Sequence, residues 1–211
     1  SVVNVVDSSI ARESDGVVYI QAGPEIGVAS TKAYTSQILA MLLFAMKLAE
    51  VRGTVKPARL RSLLRAIKRL PDQAAEFLAK EAKHVKRLAK KYLWCKRYLY
   101  LGRGSNYSTA MEGALKLKEI AYIDAEGYPA GEMKHGPLAL VTEECAVMSA
   151  VVAGEHYEKS LGNLQEIRAR GGKVIAIANE DDTEIAKYAD DVIRIPKTDE
   201  VLAPVLAGIP V

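Results

Sequence analysis

The 211-residue chain is poor in the residues that usually announce special chemistry. Its two cysteines, Cys95 and Cys145, make no disulfide framework and have no metal-ligand spacing, so they read as structural thiols in a reducing cytoplasm. Three histidines, His84, His135 and His156, lie far apart, which argues against a His-rich metal site. Aromatics make up 6% of the chain, with one tryptophan. No uninterrupted apolar run approaches the roughly 20 residues that cross a bilayer. The N-terminus lacks a basic segment followed by an apolar one, so neither a membrane span nor a secretion signal is expected.

What is present is ordinary globular composition, 49% hydrophobic and 26% charged. The net charge of +3 hides an uneven distribution. Between Lys56 and Arg97 stand 14 Lys/Arg and 3 Asp/Glu, a local +11 that leaves the remainder at −8. Such a block suits polyanions. However, Leu60, Leu63, Leu64, Ile67 and Leu70 recur through it at helical spacing, few aromatics interleave, and there are no glycine hinges. The block reads as the solvated face of helices, and nucleic acid is not an expected partner.

Short β-branched runs alternate with helical segments. "VVNVV" (2–6) and "GVVYIQ" (16–21) read as strands separated by a polar turn. A long apolar helix follows, with Ser30 and Thr31 as candidate N-caps and its end near Gly53. Pro57 and Pro71 bracket a short helix, and a second helix runs from about Asp72 to Lys91. Beyond it "RYLYLG", "CAVMSAVVA", "GGKVIAIAN" and "DDVIRIP" read as strands, with helices over about 107–122 and 157–170. "IDAEGYPAGEMKHGPLALV" reads as a loop containing a short helical piece. The pattern predicts an α/β fold with a mostly parallel, doubly wound sheet covered on both faces. The expected divisions are 1–53, a helical connector over 54–91, and 92–211. Starting on a strand and stopping in apolar sequence, the chain reads as part of something larger.

Three places could carry chemistry. "LGRGSN" (101–106) joins a strand to a helix, where an anion can approach. Tyr107 stands where a dinucleotide fingerprint needs its third glycine. In "EGALKLKEI" (112–120), Glu112, Lys116 and Glu119 fall on one stripe roughly 60° wide. That stripe is either an i,i+4 surface pair with a neighbour or a carboxylate–lysine group in a half-buried cleft. An apolar arc through Ile120, Leu117, Ala110, Ala121 and Ala114 is expected beside it, making the charged strip narrow. Finally, "GEMKHGP" presents His135 ahead of a rigid Gly-Pro, and Ser30 in "EIGVAST" either caps a helix or bonds a ligand above it.

"EIGVASTKAYTSQ", "GRGSNYSTAMEGALKLKEI" and "EGYPAGEMKHGPLALV" closely resemble the isomerase half of the glutamine–fructose-6-phosphate aminotransferases, which consists of two sugar-isomerase (SIS) domains. The resemblance covers essentially the whole chain. It implies two flavodoxin-like SIS units, both incomplete, joined by the helical connector. It also implies conversion of fructose 6-phosphate to glucosamine 6-phosphate with ammonia that a separate domain releases from glutamine. Carried over by motif, Glu119 is the base that moves a proton between C1 and C2, with Lys116 and Glu112 in the same group. His135 matches the ring-opening histidine, which reaches into a neighbouring subunit's site. Val28 and Ser30 match positions lining the sugar pocket. The implied partners are fructose 6-phosphate and glucosamine 6-phosphate, a second copy of the chain sharing the active site, and a glutaminase domain. No metal, organic cofactor or membrane is implied. The alternative is a SIS-type sugar-phosphate-binding regulatory module without catalysis. The glutaminase domain, the phosphate-holding loops and the imine-forming tail lysine of the family lie outside these 211 residues, so the chain alone is expected to be inactive.

Overall fold

In the computed structural model, which describes residues 1–211, the strand–helix alternation resolves into two compact units, Ser1–Lys68 and Arg69–Val211. In the first, β1 (Val2–Val3) pairs in parallel with β2 (Val18–Tyr19), Val2 facing Val18 and Val3 facing Tyr19. The intervening residues are more than a polar turn. They hold a one-turn helix, α1 (Ser9–Arg12), whose N-cap Ser8 accepts the Ala11 N–H. Helix α2 (Lys32–Arg52) ends where Gly53 turns left-handed, with φ 64°, and its N–H closes on Ala49 and Glu50. Its Met46 packs with Leu60 and Leu63 in a small core completed by Leu42, Val55 and Ile67. Met41, Phe44 and Leu48 on other faces of α2 remain exposed.

By length and composition alone α2 could cross a membrane, its best 18-residue window reaching a mean hydropathy of 1.2. Its unbroken apolar run is only Ile38–Met46, well short of the roughly 20 residues of a span, as the sequence led us to expect.

One correction concerns Pro71. Helix α3 (Pro57–Lys91) is continuous through it, not two helices. Pro71 removes the N–H that would reach the carbonyl of residue 67. One apolar stripe, with Leu60, Leu63, Leu70, Phe77 and Leu88 buried, continues on both sides and outweighs that loss. Lys83, Lys86, Arg87 and Lys90 point outward, as a solvated basic face should.

The second unit is built on five parallel strands in the order β4-β3-β5-β6-β7. They are β3 (Arg97–Gly102), β4 (Asp124–Pro129), β5 (Cys145–Ala150), β6 (Lys173–Asn179) and β7 (Asp191–Ile195). Strand β4 occupies sequence read above as loop. "DAEGYP" has no β-branched residue, and it tolerates this as an edge strand whose Asp124 and Glu126 are exposed. Helices α4 (Asn106–Ala121), α5 (Tyr157–Ala169) and α6 (Ala203–Ala207) complete the unit. The chain crosses one way from β3 to β4 and the other way from β5 to β6. Right-handed crossovers therefore set α4 and α5 on opposite faces, giving three layers. The strand order is that of flavodoxin-like folds. Leu99, Leu101, Val147, Leu164, Ile167 and Val174 are fully or almost fully buried in the core.

Candidate active site

Helix α4 sits directly on β3 and β4 because its contact residues are small. A Cβ on Gly113 would stand 2.6 Å from the Tyr100 ring, and one on Gly127 of β4 would stand 2.8 Å from the Met111 Cα. This close approach sets the rotation of the helix. The buried arc runs through Asn106, Thr109, Ala110, Gly113, Ala114 and Lys116. It shares Ala110 and Ala114 with the expected arc, but Ile120, 64% exposed, and Ala121, exposed too, fall outside it. Ile120 and Ala121 lie in the last turn, just before left-handed Tyr122 ends the helix with φ 56°.

The rotation sorts the charged stripe. Lys116 is 8% exposed, an unusual state for an ammonium. Glu112, one turn earlier and half-buried, brings Oε1 to 3.5 Å from its Nζ. A buried cation beside one carboxylate is not a solvated surface pair, so that reading of Glu112 and Lys116 falls away. Glu119, at the outer edge of the stripe, is exposed. The residues of this chain therefore do not supply the shelter expected around Glu119.

His135 lies in the same unit, at the end of a 3-10 turn over Ala130–His135. The loop is anchored from beneath: Ala130 and Met133 are buried, and Lys134 pairs with Glu166 of α5 at 2.8 Å. Arg103 of the β3–α4 turn donates its Nε–H to Asn163 Oδ1 at 3.0 Å, and its guanidinium would meet a Cβ on Gly131 at 3.3 Å. So braced, the loop points the His135 imidazole outward, 75% exposed and 3.9 Å from Glu132. The Arg103–Asn163 brace left no signal in the sequence, since sixty residues separate the partners.

Val28 and Ser30 belong to the other unit. Val28 is exposed, and Ser30 Oγ accepts the Tyr34 N–H at 3.1 Å, the capping role allowed for it. Glu25, overlooked in the sequence, closes this loop: its Oε1 accepts the N–H groups of Thr31 and Ala33 at 2.8 and 2.9 Å. No cluster of three or more His, Cys, Asp or Glu side chains is arranged to hold a metal. An acidic cleft of about 420 Å³ near Asp181, Asp182 and Glu158 is lined by none of these residues, and its carboxylates Asp181 and Asp182 are engaged by Lys197 and Tyr157.

A parallel 2-1-3-4-5 sheet with a buried lysine on its first crossover helix and a braced histidine loop defines a class. The chain belongs to the SIS-domain family, whose profile matches residues 1–47 and 91–211. Within it, the chain is similar to proteins named glutamine–fructose-6-phosphate aminotransferase [isomerizing]. It is 51% identical over 209 residues to that of Thermus thermophilus and 46% identical over 207 residues to that of Methanosarcina mazei. These alignments take in 99% and 98% of the chain but only 34% and 33% of the relatives, so the chain spans about a third of their length. Among solved structures, the C-terminal domain of glucosamine-fructose-6-phosphate aminotransferase from Francisella tularensis superposes with a TM-score of 0.92. It is 37% identical and covers 98% of this chain and 58% of that one.

Proposed function

We propose that this chain forms the sugar-phosphate isomerase portion of a glucosamine-6-phosphate synthase, turning fructose 6-phosphate and glutamine-derived ammonia into glucosamine 6-phosphate. The observation that carries the reading is the buried Lys116 ammonium facing Glu112, one turn before Glu119 on a helix that otherwise packs through small residues. A ketose–aldose shift needs one carboxylate able to serve two adjacent carbons. Glu119 takes that role, while Lys116 and Glu112 supply a fixed charge pair beside the substrate oxygens where charge develops. Outward-facing His135 opens the sugar ring in a neighbouring subunit's site, which agrees with its exposure and its braced loop. Val28 and Ser30 line the sugar pocket. The assembly is a homodimer that works in the cytoplasm, with a glutaminase domain supplying ammonia in the full-length protein.

The exposure of Glu119 favours the second reading, a sugar-phosphate-binding module without catalysis. Glu119→Gln in the full-length protein separates the two. Under the isomerase reading the substitution abolishes solvent-proton exchange at C1 and C2 of fructose 6-phosphate while binding survives. Wild-type protein that binds the sugar phosphate yet exchanges no proton would establish the module instead.

A further inference from the structure

The loop before α2 is shaped by a residue that touches no sugar in the proposed site. Thr31, at the N-cap of α2, makes no capping bond with its own side chain. The carboxylate of Glu25 does the work from six residues upstream. Its Oε1 accepts from the Thr31 and Ala33 N–H groups, and its Oε2 accepts from the Thr31 hydroxyl at 3.3 Å. These bonds tie residue 25 to residue 33 and throw the intervening chain into an arch. Ala29 is buried beneath it, while Ile26 and Val28 stand out at its crest. Ser30 accepts the Tyr34 N–H, so its hydroxyl proton faces away from that bond and can be donated to a ligand oxygen.

We infer that Glu25 is a positioning residue: by capping α2 it holds the Val28–Ser30 arch in the shape that grips the sugar. This rests on the reading of Val28 and Ser30 as pocket residues. Glu25 takes no part in proton transfer, so its loss weakens substrate binding and spares the chemical step. The charged group beside it is the Lys32 ammonium, and the remaining partners are the neutral donors of Thr31 and Ala33. Those backbone N–H groups, chiefly that of Ala33, hold the carboxyl below the usual carboxylate range. The cap is complete at neutral pH and is lost only as pH falls through that depressed value.

The test compares Glu25→Ala and Glu25→Gln with wild type in the full-length protein. Glu25→Ala is expected to raise KM for fructose 6-phosphate roughly tenfold, the scale of a lost helix cap, with kcat nearly unchanged. Glu25→Gln keeps an acceptor oxygen for both N–H groups and restores KM to within about threefold. An unchanged KM in Glu25→Ala, or a kcat that falls as far as KM rises, overturns the inference. A second measurement stands whether or not the protein acts on the sugar. The Thr31 and Ala33 amide proton shifts in wild type must titrate together at low pH and must not do so in Glu25→Gln. Absence of that titration overturns the role of Glu25. Intact titration with no sugar binding by wild type removes the pocket reading and leaves the cap standing.

Discussion

A lysine is seldom buried without a purpose, and Lys116 shows what burial demands. With 8% of its surface exposed, its charge depends on nearby partners, of which Glu112 at 3.5 Å is one. Removing that carboxylate takes a counter-charge from the buried ammonium. Glu112→Ala is expected to destabilise the second unit by about 3 kcal/mol, the lower end of the range for breaking a buried pair. Lys116→Met keeps the volume and removes the charge, so it is expected to fold at least as well as wild type. Urea unfolding of both variants checks this, and a stable Glu112→Ala would show that the pair carries no load. The sequence made the i,i+4 spacing plain, but not which of the three charges was buried. Helical periodicity ranks positions around an axis, whereas the neighbouring sheet decides where that axis turns.

At the scale of elements, the α4 interface is decided by absent side chains. Gly113→Ala gains helix propensity of about 1 kcal/mol but drives a methyl to 2.6 Å from the Tyr100 ring. Overpacking of this kind typically costs 1–3 kcal/mol. The net expectation is a lower melting temperature, and a higher one would mean that α4 can lift off the sheet. Helix α3 offers the opposite case. Pro71→Ala restores a backbone donor inside a continuous helix and is expected to raise thermal stability, by up to about 3 kcal/mol. Strands rich in Val, Ile and Leu were legible because central parallel strands are buried on both faces. Edge strand β4 was not, because "DAEGYP" obeys edge rules that resemble loop composition. Pro71 misled for a related reason: proline punctuates a helix only when packing on its two sides does not bind the halves into one apolar stripe.

At the scale of the whole molecule, the 211 residues span about a third of the relatives they match, so activity is expected to be distributed over more chain than this. Purified alone, the 211-residue chain is expected to yield no glucosamine 6-phosphate from glutamine and fructose 6-phosphate, and detectable product would refute that. If two subunits share each site, full-length Glu119→Gln and His135→Ala proteins, each inactive, should complement when mixed. Random re-pairing gives half heterodimers with one intact site of two, so about a quarter of wild-type activity returns. No recovery after verified subunit exchange would place both residues in a site within one subunit.

The sequence by itself determined the α/β alternation and the family, and it singled out the candidate residues. Hydrophobic periodicity and motif spacing are written in neighbouring positions. Tertiary structure alone decided that Lys116 is buried and Glu119 exposed, that Arg103 braces the His135 loop through Asn163, and that Glu25 rather than Thr31 caps α2 with a side chain. Each of these depends on the rotation of a helix, or on the meeting of groups whose separation along the chain says nothing of their distance in space.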